Sequence, residues 1–327
     1  MCTAITYKTK DMYFGRTLDL ECHYNESVTI TPRRYPLSFR HGDTINEHYA
    51  MIGIANVVDN YPLYYDAANE KGLCLAGLAF WHSAKYHALC PARDNIASFE
   101  LAPWILGQCA SLEEARVLLD KINITDTAFS DSLPPSPLHW MIADREGAIV
   151  LESTSDQLHI YDDPIGVLTN EPRFEYHMTN LSNYINLTPC EPDIRFSKDA
   201  DLKVYSRGMG AIGLPGDLSS SSRFVRAAFT KLNSVSDNCE NDSVSQFFHI
   251  LNTVSQTRGC TRMIEAEEEK YERTVYTSCC NSQRGIYYYT TYENSRVIGV
   301  DMYKEDLDGD RLLSYTLAYT SDVFMEN

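Results

Sequence analysis

A cysteine follows the initiator methionine directly, and an arginine and an aspartate stand at 16 and 19, all within the opening stretch MCTAITYKTKDMYFGRTLDL. Initiator methionine is commonly removed before a small residue, and Cys2 would then carry a thiol and a free α-amine together. The amine's ordinary pKa is about 7.7–8.0 and the thiol's about 8.5. One residue thus offers a nucleophile and a base of suitable strength. Arg16 supplies a cation that favours thiolate, and Asp19 an acceptor that can orient the ammonium or the thiol. Residues 16 and 19 differ in parity, so an unbroken strand points them to opposite faces. For both side chains to reach Cys2, a bend or strand end must fall near Leu18.

The surrounding pattern is mostly strand. CTAITYKT and MYFGRTLDL flank a short Lys-Asp turn and predict a hairpin. YAMIGIANVV and GLCLAGLAF are apolar stretches of strand length, and LHWMIADREGAIVLES predicts a second hairpin turning at Arg145-Glu146-Gly147. SLEEARVLLDKI has helical spacing, with Ser111 and Glu114 as a capping box, and FELAPWILGQC before it also predicts helix. The polar segment 170–220 reads as long loops of the kind an active-site rim tolerates. Two helices follow, SSRFVRAAFTKL and SVSQFFHILNTV, the latter opened by Ser243 and Gln246, before strands return in VYTSCC, GIYYYTTYE and RVIGVDMY. Helices covering mostly antiparallel sheets are the expected class, in one domain without repeats or linkers.

Charge narrows the function. With 28 Lys+Arg against 45 Asp+Glu, the net charge of −17 repels nucleic acid and anionic membranes. An anionic substrate must therefore be met by a few local arginines. No secretion signal or span-length apolar run is visible, and the ten cysteines lack zinc-like spacing, so a cytoplasmic setting with reduced thiols is expected. GMGAIG at 208–213 matches a dinucleotide pattern, but neither a buried strand nor a helix flanks it, and a flexible loop is the better account. The acidic run EAEEEK reads as a solvated face, and Cys279-Cys280 as core.

Taken in order, several segments resemble the choloylglycine hydrolase family, which holds conjugated bile acid hydrolases and penicillin V acylases among the N-terminal nucleophile hydrolases. They are MCT, FGRTLD, NEKGL, LHWMI, VLTNEPRFEYHMTNLSNY, GLPGDLSSSSRFVRAAF, FFHILN and GIYYYTTYEN, spread over nearly the whole chain and closer to bile salt hydrolases. The resemblance implies an α+β fold, a four-layer αββα sandwich of two antiparallel sheets, as a single domain over 1–327 whose mature chain starts at Cys2. It implies Cys2 as nucleophile with its own amine as base, Arg16, Asp19 and Arg223 as supports, and Asn170 as an oxyanion donor. A backbone N–H at Ala79 would be the second donor, at a position where bile salt hydrolases commonly carry Asn and penicillin V acylases often Tyr.

The implied substrate is a glycine- or taurine-conjugated bile acid. Burying about 300 Å² of steroid at about 25 cal/mol/Å² gives roughly 7 kcal/mol before the costs of binding. Apolar contacts should therefore dominate, with Leu20, Phe129 and Leu133 as candidate walls. Ser206 and Arg207, in SRG, resemble the form associated with taurine preference. The resemblance further implies a homotetramer and no metal or cofactor. Penicillin V acylase and a catalytically idle steroid-binding protein are the alternative readings.

Overall fold

The computed structural model describes residues 1–265, 267–321 and 323–327. In chain order come β1 (Cys2–Lys8), β2 (Met12–Leu20), β3 (Ser27–Thr31), β4 (Met51–Val58), β5 (Tyr61–Asn69), β6 (Cys74–Ala79) and β7 (Asp94–Ala97). Next are α1 (Leu101–Gln108), α2 (Leu112–Leu119), β8 (Ile122–Thr125), β9 (Leu138–Ala143), β10 (Ala148–Ser153), β11 (Leu158–Asp162), β12 (Val167–Leu168) and α3 (Phe174–Leu181). The chain closes with α4 (Ser220–Asn233), α5 (Glu240–Asn252), β13 (Thr261–Glu265), β14 (Glu268–Asn281), β15 (Ile286–Thr291), β16 (Ile298–Asp301) and β17 (Leu313–Thr316).

One sheet runs β12-β1-β2-β14-β15-β16 with β13 beside β14, and a second runs β11-β10-β9-β6-β5-β4-β3-β17. All rungs in both are antiparallel, and β1 and β2 lie centrally, between strands from the middle and end of the chain. Alternation sorts the second sheet's side chains. Met141, Ala143 and Val150 join the core shared with the first sheet, while Trp140, Ile142, Ile149 and Leu151 join the core under α1 and α2. Helices α4 and α5 cover the outer face of the first sheet through Phe224, Ala227, Phe247 and Leu251. Each fully buried Phe or Leu side chain among them contributes about 1.5–3 kcal/mol. This is the αββα order expected from the sequence.

Side-chain caps open two of the five described α-helices, α2 at Ser111 and α4 at Ser219. Ser111 Oγ accepts from Glu114 N at 3.3 Å, and the Glu114 carboxylate accepts from Ala110 N at 2.7 Å. Three expectations need correction. Helix α5 begins at Glu240 after Cys239, so Ser243 sits inside its first turn; acidic Glu240 and Asp242 favour the earlier start. The segment 170–220 contains helix α3, whose Phe174 and His177 are buried against the core. GMGAIG is pinned rather than flexible: Met209–Ala211 forms a 3₁₀ turn and Gly210 O accepts from Thr188 N at 3.0 Å. Cys279 and Cys280 are fully buried in β14, as core residues. In the acidic run, Ala266 lies outside the described residues; its neighbours are exposed, and Glu265 and Glu269 pair with Lys270 and Arg262. No described helix is long and apolar enough to cross a membrane.

Candidate active site

Strand register decides which side chains accompany residue 2. Cys2 lies opposite Leu18 and Ala4 opposite Arg16, so these four share the face turned to the second sheet. Thr3, Thr17 and Asp19 share the face turned to the helices. Between the sheets, the β5–β6 ladder stops at Asp66 opposite Ala76. The next acceptors, Tyr65 O and Gly77 O, are taken instead by Arg16 Nη1, at 3.1 Å for Tyr65. The guanidinium thus replaces a missing rung. Beside it Gly15 lets β2 lie close against β14, since a Cβ there would lie 2.1 Å from Ser278 O.

The bend expected near Leu18 falls in the neighbouring strand. β2 stays extended to Leu20, while β14 bulges between Thr274 and Tyr276, opposite Asp19 and Leu18. A bulge re-aims the residues on either side of it. Thr274 Oγ1 therefore donates to Asp19 Oδ1 at 2.7 Å on the helix side, while Tyr276 OH donates to Asp66 Oδ1 at 2.8 Å between the sheets. Arg16 and Asp19 remain on opposite faces, as their parity dictates. Asp19 meets the chain start through its backbone: its N–H donates to Met1 O at 2.9 Å, and its carbonyl accepts from the Met1 ammonium at 2.6 Å.

Helix α4 brings Arg223 to the same place from the other side. Its Nη1 donates to Cys2 O and to Thr3 Oγ1, the latter at 2.6 Å, and its Nη2 donates to Asn170 Oδ1 at 2.6 Å. Cys2 N also donates to Asn170 Oδ1, at 2.8 Å. In this Met1-bearing chain that nitrogen is a peptide N–H; in a chain trimmed to Cys2 it becomes the α-amine. Two donors converging on Oδ1 fix the amide's orientation. Its Nδ2 consequently faces Ala79 and donates to Ala79 O at 2.8 Å. Residues 79 and 170, expected as the oxyanion donors, are tied directly together.

The charges are unusual for an interior. Arg16 and Arg223 are 1% and 0% exposed, and among the described residues no carboxylate stands within ion-pair distance of either. Asp66 is near Arg16, but its oxygens are taken by hydroxyls of Tyr276, Ser278 and Tyr287. Burial works to lower the Arg16 pKa, the neighbouring Cys2, Tyr276, Asp66 and Asp19 work to raise it, and the net shift is upward. Burial lowers Arg223, with Asp19, Cys2 and Glu272 opposing. Two buried cations lacking a bonded counter-ion favour an anion between them. Cys2, 3% exposed, is a neighbour of both arginines.

The other expected residues stand apart from this ring. Leu20 packs on the shared core at the end of β2. Phe129 packs on Tyr61 and Phe99 at 5.8 and 5.2 Å between ring centres, and its N–H donates to Leu133 O at 3.1 Å. Ser206 and Arg207 are solvent-exposed. Among the described residues, no hydrogen bond or ring contact joins Phe129, Leu133, Ser206 or Arg207 to the ring. Two cavities of about 690 and 640 Å³ lie elsewhere, one beside His48 and Glu70 and one beside Phe248 and Tyr292.

Sequence reasoning missed Thr3 and Ser220, whose hydroxyls serve Arg223 and Asn170 N. It also missed Glu272, which pairs with the Met1 ammonium; burial raises this carboxyl and the ammonium opposes the rise. None of these three has a distinctive local spacing that could have flagged it.

Residues 2–315 match the model of linear amide C–N hydrolases of the choloylglycine hydrolase family. The chain belongs to that family. It is similar to a bile salt hydrolase/transferase of Lactiplantibacillus plantarum, at 53% identity over 100% of both chains. A bile salt hydrolase/transferase of Clostridium perfringens is 38% identical over 96% of each chain. The crystal structure of the mutant C2A conjugated bile acid hydrolase from Clostridium perfringens superposes with a TM-score of 0.91 at 37% identity over 100% of both chains. A penicillin V acylase from Agrobacterium tumefaciens shares the fold, with a TM-score of 0.75 at 20% identity, covering 98% of this chain and 95% of its own. As a family member the chain is a linear amide C–N hydrolase.

Proposed function

We propose that the protein hydrolyses the amide of glycine- or taurine-conjugated bile acids, using Cys2 as nucleophile in a chain trimmed of Met1. The observation that carries the mechanism is the setting of residue 2: Arg16 lies on the same face of the β1–β2 hairpin, and Arg223 and Asn170 bond its backbone. The names of the full-length relatives support the substrate. The Cys2 thiol gives its proton to its own α-amine and attacks the amide carbon. Asn170 Nδ2 and the Ala79 N–H stabilise the oxyanion. The α-ammonium then protonates the leaving nitrogen, the C–N bond breaks, and glycine or taurine departs from a bile-acyl thioester. Water, deprotonated by the amine, attacks the thioester and frees the bile acid and the thiol. Arg16 and Arg223 hold the thiolate and the Asn170 carboxamide, while Asp19, bonded to Thr17 and Thr274, ties β2 to β14 beside the new chain start.

The relatives' hydrolase/transferase names support a side reaction in which a second amine at high concentration takes the acyl group from the thioester. Interleaving of N- and C-terminal strands in one sheet supports a single domain over 1–327. Ser206 and Arg207 form an exposed rim where a taurine sulfonate could be met, with Leu20, Phe129 and Leu133 as apolar walls. Exposed Ile185, Phe196 and Tyr205 support association of subunits, read here as a homotetramer. Four exposed cysteines, Cys22, Cys190, Cys239 and Cys260, suit a reducing cytoplasm.

The test is side-by-side turnover of taurocholate, glycocholate and penicillin V by wild type and Cys2→Ala, with intact mass to score Met1 loss. Release of taurine and glycine by trimmed wild type alone is expected. Faster cleavage of penicillin V, or turnover by Cys2→Ala, overturns the assignment.

A further inference from the structure

Thr169 and Asn170 follow directly on β12, whose ladder with β1 ends at Leu168. Their carbonyls are buried, so each needs a donor from elsewhere. Two histidines from different layers supply them. His139 on β9 donates through Nε2 to Thr169 O at 2.9 Å, and His177 on α3 donates through Nε2 to Asn170 O at 2.9 Å. A carbonyl only accepts, so both rings carry a proton on Nε2. Glu152 on β10 joins the two supports: its Oε1 lies 3.2 Å from His139 Nδ1 and accepts from Phe174 N, the first residue of α3, at 2.9 Å. Ring stacking fixes both imidazoles, Phe80 on His139 at 4.3 Å and Phe224 on His177 at 4.8 Å.

We infer that His139 and His177, aligned by Glu152, are positioning residues that aim the Asn170 carboxamide and register it against Ala79, an inference resting on the hydrolase function proposed above. His139 touches both sides of the site, bonding the residue before Asn170 and stacking on the residue after Ala79. Glu171 adds a parallel tie, its carboxylate accepting from His82 N at 3.0 Å and from Ser83 N at 2.8 Å. All three of His139, Glu152 and His177 are 0% exposed, so they act through the backbone and not on substrate. A misplacement of the donor by about 1 Å can cost about 10²-fold in rate.

The experiment compares asparagine with glutamine at each histidine. Glutamine reproduces the reach of Nε2 and asparagine that of Nδ1. His139→Asn and His177→Asn should lower kcat on conjugated bile acids about 10- to 100-fold with KM within about threefold. The Cys2 alkylation rate by iodoacetamide should be unchanged, and His139→Gln and His177→Gln should recover most of the loss. Glutamine variants no better than asparagine, or asparagine variants within twofold of wild type, overturn the assignment. If wild type releases no taurine or glycine, the hydrolase function fails and crystal structures of the same variants decide positioning alone. Asn170 shifted by about 0.5 Å or more in the asparagine variants supports the role, and an unmoved Asn170 overturns it. Should the asparagine variants not fold, the folded glutamine variants carry the same structural test, with a displaced Asn170 counting against Nε2 as the holding atom.

Discussion

Around residue 2, Arg16, Asp19, Asn170 and Arg223 are each at most 5% exposed and each bonds to a neighbouring strand or helix. At the proposed rim, Ser206 and Arg207 stand in solvent on irregular backbone, and Leu133 sits on a loop. The difference separates two tasks. A group that must meet a developing charge needs its angle held by other parts of the fold, whereas a group that greets a variable substrate tail does not. The ring should therefore punish substitution in rate, and the rim should answer mainly in preference.

The sharpest way to break this contrast is Cys2→Ala, which should lower bile-conjugate turnover at least about 10³-fold while the melting temperature barely moves. Appreciable residual activity would move the nucleophile elsewhere. Asn170→Ala should lower kcat about 10²- to 10³-fold, as expected for loss of one oxyanion donor; a change confined to KM would reassign it to substrate binding.

A third prediction concerns acid. Burial, with His139 and Arg223 nearby, holds the His177 imidazole down at about 4, against about 6.5 when unfolded. Between pH 6.5 and 4 the unfolded chain takes up the proton first, so acidification favours unfolding, by about 3 kcal/mol below pH 4. Asp163 works the other way. Burial raises its carboxyl to about 6, so the folded form keeps a proton that the unfolded form releases, and stability falls as pH rises from 4 to 6. Wild type should show a shallow compound profile. His177→Gln should gain on it progressively as pH drops from 6.5 to 4 in denaturant titrations, and a constant difference refutes the assignment. The smallest effect is expected at the rim: Arg207→Ala should change the taurocholate-to-glycocholate ratio of kcat/KM by less than about tenfold, equivalent to 1.4 kcal/mol, with little loss on the better substrate.

Much of the scaffold was legible because strand and helix periodicities are local. The hairpin carrying Cys2, Arg16 and Asp19 was readable, as was the capped helix at Ser111, and parity correctly separated Arg16 from Asp19. Helix α3 escaped because its polar, Asn- and Pro-flanked surroundings hide a buried face of only Phe174 and His177. The start of α5 escaped because its acidic first turn lies in a segment with no apolar repeat. Asn170 and Arg223 entered only through family resemblance, since nothing near them in the chain marks chemistry.

By itself, the sequence determined the cysteine at position 2, the alternation that makes two-faced sheets, and membership in an amide hydrolase family. Tertiary structure alone decided that Asn170, 168 residues away, and Arg223, 221 residues away, meet Cys2, and that a bulge in β14 aims Thr274 and Tyr276 to opposite sides of it. The reason is physical: periodicity repeats within a few residues of chain, but a hydrogen bond across the sandwich depends on how distant strands and helices come into register.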